Sequence, residues 1–136
     1  MKKLLSGIVL LGVLSLSNTL WNWDSSIPTV HWTEAPSVVG KNSAIVLEIE
    51  DAGRGLQLIE VVLSTSGNRQ IMLSETYEAP WSWQPGIKKR SLTFSPRTSF
   101  GEEPLSEGEF FLEVTLRDHP NLGLWSNEFS TRRSFE

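Results

Sequence analysis

Cysteine is missing from all 136 residues. Its absence excludes disulfides, thiolate zinc sites, a cysteine nucleophile and a lipid-modified N-terminal cysteine. Histidine is nearly as scarce, with only His31 and His119. A catalytic zinc usually takes three protein ligands, so the chain is short of imidazole before any motif is sought. Basic surplus is lacking too: 12 Lys and Arg stand against 16 Asp and Glu, a net charge of −4. Nothing there neutralises a phosphate backbone, which argues against nucleic acid as a partner. Helical periodicity is absent past residue 20, where no segment repeats apolar residues at i, i+3, i+4 and i+7 over three turns. No internal repeat or low-complexity tract is present. What remains is a balance of 39% hydrophobic and 21% charged residues, which is that of a folded globular chain large enough for one domain.

The N-terminus carries the strongest local signal. Lys2 and Lys3 precede an apolar run from Leu4 to Leu16, and Ser15-Leu16-Ser17 is a small-x-small triplet that a signal peptidase can cut. The alternative is an uncleaved anchor through residues 4–20, at the short limit for a bilayer, with Trp21 and Trp23 as an interfacial pair. Residues 1–20 are therefore expected to be a hydrophobic signal or anchor helix. Either reading puts the rest of the chain in the periplasm or cell envelope. Residues 21–28, polar and closed by Pro28, read as a linker, and residues 29–136 as the domain.

From Thr29 onward the pattern alternates. Ile45, Leu47 and Ile49 share one face of a half-buried strand. The run Asp51-Ala-Gly-Arg-Gly55 breaks it with a tight turn. In the next strand, Ile59, Val61 and Leu63 face in, while Leu56 and Leu58 have the opposite parity; a bulge near Leu58 is expected. Ser66-Gly67-Asn68 marks a hairpin, and Arg69–Tyr77 returns with Ile71 and Leu73 on one side. Leu92 and Phe94 face in on a further strand. Phe110, Leu112, Val114 and Leu116 form the cleanest apolar face, and Phe129 and Phe135 share a parity on the closing strand. These segments predict an all-β fold: an Ig-like or fibronectin-like antiparallel β-sandwich of about seven strands.

The search for chemistry returns little. His31 and His119 form no HExxH, His-x-His or His-x3-Asp motif, and no serine sits in Gly-x-Ser-x-Gly. Glu102-Glu103 and the Glu48, Glu50 pair read as solvated carboxylates. No catalytic, metal or cofactor residue is assigned; the histidines read as an edge-strand residue and a loop residue. Tryptophan is the surplus, six in all. Trp81-Ser-Trp83 places two rings on one side of an extended segment. The pair is either a ligand or partner contact, for a cell-wall glycan or a protein, or a lid over the core. Trp32 and Trp125 are expected in the core or at its rim.

Several segments in order carry a family likeness: Ile-Pro-Thr-Val-His-Trp-Thr-Glu-Ala-Pro at 27–36, Glu-Asp-Ala-Gly-Arg-Gly-Leu at 50–56, Trp-x-Trp-x-Pro-Gly at 81–86, Leu-Ser-Glu-Gly at 105–108, and Arg-Asp-His with Leu-Trp-Ser-Asn across 117–127. Behind a leader, this arrangement resembles the N-terminal β-sandwich region that precedes the catalytic domain of exported lysostaphin-type zinc endopeptidases, which cleave peptidoglycan cross-links. The resemblance implies a non-catalytic accessory module, with a catalytic domain or another envelope protein as partner. That family's His-x3-Asp and His-x-His zinc motifs do not occur here, so no catalytic residue carries over. The alternative is a free-standing carbohydrate- or protein-binding module using exposed tryptophans.

Overall fold

A computed structural model describes residues 2–21, 25–40, 43–78, 86–95, 108–120 and 125–136. Helix α1 spans Lys2–Trp21. Seven strands follow: β1 (Thr29–Glu34), β2 (Ile45–Glu50), β3 (Leu56–Thr65), β4 (Arg69–Thr76), β5 (Lys89–Phe94), β6 (Phe110–Asp118) and β7 (Glu128–Phe135). They form a three-stranded sheet ordered β1-β2-β5 and a four-stranded sheet ordered β4-β3-β6-β7. Every pairing is antiparallel. The all-β expectation holds.

Alternation explains why these strands make two layers. Ile45, Leu47 and Ile49 point from β2 into the same cluster as Ile59, Val61 and Leu63 of β3 and Leu112, Val114 and Leu116 of β6. Period-two side chains from both sheets thus share one core, and the outward residues stay wet. Leu92 and Phe94 of β5 and Phe110 and Phe135 of the second sheet complete it. Phe110 and Phe135 stack at 5.4 Å, with Trp32 tilted against Phe135 at 6.0 Å. Trp32 sits at the core rim, as expected. Trp125 does not: it precedes β7 rather than lying in it, and 58% of it is exposed, which corrects its assignment to the core or rim.

Two irregularities set the registers of β3, and a third lies between Trp32 and Glu34 on β1. Between β3 and β6 the pairing slips between Leu56 and Leu58, where a bulge is expected from the parity clash, and Leu56 is thereby turned fully into the core. Between β3 and β4 it slips at Val61/Val62, so Leu73 faces Val61 while Ile71 faces Val62. Ile71 and Leu73 therefore do not share a side. Met72 is the extra residue, packed on the core with Leu73, and Ile71 is 61% exposed. The sequence of β4 alternates too weakly to reveal such an insertion.

The seams between sheets are closed by side chains. Across the β4/β5 seam, Arg90 Nη2 donates to Glu75 Oε1 at 2.9 Å, and the Tyr77 hydroxyl donates to the same carboxylate. Arg90 holds the Glu75 carboxyl below its ordinary range. Burial, then the bond to Glu75, pushes the Tyr77 phenol up to about 12. At the other seam, Arg133 Nη2 donates to the Ala35 carbonyl, the Val39 amide donates to the Glu136 carbonyl and the Glu136 amide to the Ser37 carbonyl.

The side chains of α1 behave differently from the rest. From Leu4 to Leu20 the large apolar residues are 56–73% exposed on every face. Among the described residues, no helix is long and apolar enough to cross a membrane.

The register makes a direct prediction. Leu112 is fully buried on the core face, whereas Phe111 faces outward under the Arg132 guanidinium, 3.9 Å from its ring centre. Leu112→Ala is expected to cost about 2–5 kcal/mol in urea unfolding and Phe111→Ala clearly less. The reverse order would place β6 one residue out of register.

Candidate functional site

The buried polar groups converge at one end of the two-sheet body. Among the described residues, Asp51, Asp118 and His119 are the buried charged or polar ones, exposed by 1%, 1% and 2%. They belong to three elements whose ends meet there: the turn from β2 to β3, the end of β6, and the approach to β7.

Asp51 organises its turn. Its Oδ1 accepts from the Gly53 amide at 3.2 Å and its Oδ2 from the Gly55 amide at 2.6 Å. An aspartate with glycines at its second and fourth followers can fold back on itself in this way, because glycine takes the φ of +103° found at Gly55. The turn is held from outside as well. Asp51 donates its amide to Lys88, Leu56 donates to Ile87, and His119 donates to the Gly55 carbonyl. Arg54 Nη1 reaches the Pro120 carbonyl at 3.3 Å.

Asp118 organises the second loop. Its Oδ1 accepts from the Asn127 amide and its Oδ2 from the Asn127 side-chain Nδ2, both at 2.6 Å. The same Nδ2 donates to the Ser26 carbonyl at 3.0 Å. One asparagine thus ties the start of β7 and the N-terminal linker to the end of β6. Pro28 is buried, so the last part of the linker belongs to the body.

His119 is the odd group. Neither Nδ1 nor Nε2 has a hydrogen-bond partner. Burial lowers the tendency of the ring to take a proton; the Arg54 guanidinium adds to that and the Asp51 carboxylate opposes it. The neutral ring is therefore the folded form.

Chemically, this end is a lock. Each oxygen of the two buried carboxylates accepts an N–H bond, and those bonds tie the loops together. His31 lies exposed on β1, opposite Glu48, away from His119. Among the described residues, no three of His, Asp and Glu come together in a way that could hold a metal ion. Trp81 and Trp83, the candidate contact residues, lie outside the described residues; the connection that carries them leaves from Tyr77, bonded to Gln57, and returns at Gly86, against Gly55. The sequence marks Asp51 only as the start of a turn and does not single out Asp118 or Asn127. The available signal was the Asp-x-Gly-x-Gly spacing, which is turn chemistry.

The fold and this polar end define a class: a two-layer all-β domain with a buried carboxylate lock at one end. Comparison with protein families, with curated proteins and with solved structures finds no match to the chain.

The unpaired imidazole makes a pH prediction. The folded state disfavours the proton relative to the ordinary value of 6.5, so the unfolded chain binds more protons below that point. The His119 contribution is complete above about pH 6.5 and is lost as pH falls further. His119→Leu removes both unpaired nitrogens. Its stability at pH 7 is expected to match or exceed the parent, and its stability curve to fall less steeply just below pH 6.5. Equal slopes in chemical unfolding would show that the ring is hydrated or paired in solution.

Proposed function

We propose that the chain is a non-catalytic, exported envelope domain that serves as a spacer, the accessory N-terminal module of a peptidoglycan metallopeptidase. The observation that carries this reading is polarity of the body. Its first strand begins at Thr29, opposite Glu50, at the end that holds the Asp51 turn. Its last strand closes at Phe135, opposite Phe110, at the far end beside the Thr65 hairpin. A helix whose large apolar side chains are exposed precedes the near end in sequence, so anything joined past Phe135 is held roughly 30 Å from that end, the span of a nine-residue strand.

Three further points support the reading. The strand order β1-β2-β5 with β4-β3-β6-β7 suits a fibronectin-like variant of the immunoglobulin sandwich, with the fourth strand beside the third. The segments 50–56 and 117–127, both part of the resemblance to the lysostaphin-type N-terminal region, meet in the buried lock through His119, Gly55, Arg54 and Pro120. The leader Lys2-Lys3 followed by exposed Leu4–Leu16 has the form of an export signal. Hydrolysis, on this reading, belongs to another domain, because the zinc motifs of that family do not occur in these residues.

A fusion of alkaline phosphatase after Glu136 tests export, since the enzyme is active only outside the cytoplasm. The fusion is expected to be active, and deletion of residues 2–20 to reduce it to background. The chain itself is expected to release no muropeptides from purified peptidoglycan. Cross-link cleavage that a chelator abolishes would overturn the proposal.

A further inference from the structure

His119 stands where three separate segments hold one another. Its backbone amide donates to the Gly55 carbonyl, in the turn from β2 to β3. The next residue, Pro120, accepts from Arg54 of the same turn at 3.3 Å. The residue before it, Asp118, binds Asn127 through both carboxylate oxygens, and Asn127 in turn holds the Ser26 carbonyl of the linker. The ring is thus packed inside the joint that fixes the turn, the start of β7 and the linker.

Nothing in that joint favours a buried proton on the ring strongly enough to offset its burial. The side chain is 2% exposed and, among the described residues, neither Nδ1 nor Nε2 has a hydrogen-bond partner. An imidazolium there would bury a charge and two N–H donors with no acceptor, which costs far more than burying the neutral ring. Two charged groups of the Asp51 turn act on it: Arg54 opposes the proton and Asp51 favours it. The Asp51 oxygens are already bonded to the Gly53 and Gly55 amides, and those of the adjoining Asp118 to Asn127. From β6 and β7, Arg117 and Glu128 pair with each other. Lys88, just before β5, is exposed.

The ring has a short way out. Residues 118–120 are the corner at which the chain leaves β6, and two bonds dock that corner on the turn, His119 to Gly55 and Arg54 to Pro120. Breaking them frees the ring without parting Leu112, Val114 and Leu116 from the core. Such an opening is local, and local openings lie below global unfolding in free energy.

We propose that His119 is an acid-operated latch: protonation of its ring undocks the corner 118–120 from the Asp51 turn while both sheets stay folded. Asp118 belongs to that corner, so the hold of Asn127 on the linker at Ser26 loosens with it. At neutral pH the base of the body is rigid; in mild acid it becomes a hinge. The latch belongs to the body alone and depends neither on export nor on a partner.

Native-state amide exchange in the full chain, with detergent present to keep α1 dispersed, tests the latch. Exchange is followed at about pH 7.5 and about pH 5.5 over a series of sub-denaturing urea concentrations, each rate corrected for the intrinsic effect of pH. The open corner takes the proton with the ordinary value of 6.5 and the closed one resists it, so opening rises by about tenfold as pH falls across this interval. The His119 and Asn127 amides are expected to exchange about tenfold more readily in acid, with little dependence on urea. They are expected to stay well ahead of the Leu112 and Val114 amides of β6, which keep the steep urea dependence of global unfolding. In His119→Leu the acid response of the Asn127 amide is expected to vanish. His119→Gln, which takes no proton either, serves the same purpose if the leucine variant alters the fold. Corner amides that follow Leu112 and Val114 in rate and urea dependence would show that only global unfolding releases the ring, and would overturn the latch. So would an absent acid response in the parent. The same response in the His119 variants would assign it to other groups and overturn the latch as well.

Discussion

A buried aspartate decides how the two sheets are joined. The chain leaves β2 in one sheet and enters β3 in the other within five residues, and Asp51 makes that crossing possible by accepting two amides from its own turn. A carboxylate with 1% exposure is costly unless it is paired or hydrogen-bonded, and here the bonds are the turn itself. Gly55 completes the constraint. Its φ of +103° lies where side chains are strained, and a Cβ there would come within 2.7 Å of the Gly86 backbone. The turn therefore closes against the start of β5 as tightly as backbones allow. Where β3 begins, and hence how Ile59, Val61 and Leu63 meet β6, follows from it.

The same end gathers everything that connects the body to the N-terminal helix. Asp118 grips Asn127, Asn127 grips Ser26, and Pro28 is buried, so the linker is short because the body takes up its last residues. A spacer needs such rigidity at its base; a loose joint would leave its far end free to swing. The proposed spacer role follows from this arrangement, in which polar groups are locked inside the end that leads to the helix.

Much of this was legible in the residues, and the reasons for the exceptions are specific. Strands such as β2 and β6 alternate cleanly, so their core faces read correctly from Ile45 and Phe110 onward. The parity clash at Leu56 and Leu58 announced its bulge. The β4 bulge was silent, because Ile71, Met72 and Leu73 are all apolar and any of them could face the core. Trp125 was misplaced for a related reason: size and apolarity favour burial on average, but the chain there has not yet entered β7. The lock was only half visible. Asp51 and its glycines spelled a turn, yet nothing local says that the turn will be buried, or that Asp118 and Asn127, nine residues apart, will close a second one beside it. Such pairings are made by the topology and leave no spacing rule to read.

Comparing Gly55→Ala with Gly67→Ala in equilibrium urea unfolding tests the central claim most directly. Gly55 sits in the crossing between the sheets and Gly67 in the β3–β4 hairpin; a Cβ at Gly67 meets nothing within 4 Å, and one at Gly55 meets the Gly86 backbone. If the Asp51 turn is the joint on which both sheets depend, Gly55→Ala lowers the stability of the whole domain by more than about 2 kcal/mol, in a single transition, while Gly67→Ala changes it by less than about 1 kcal/mol. Equal stability of the two variants would contradict the account.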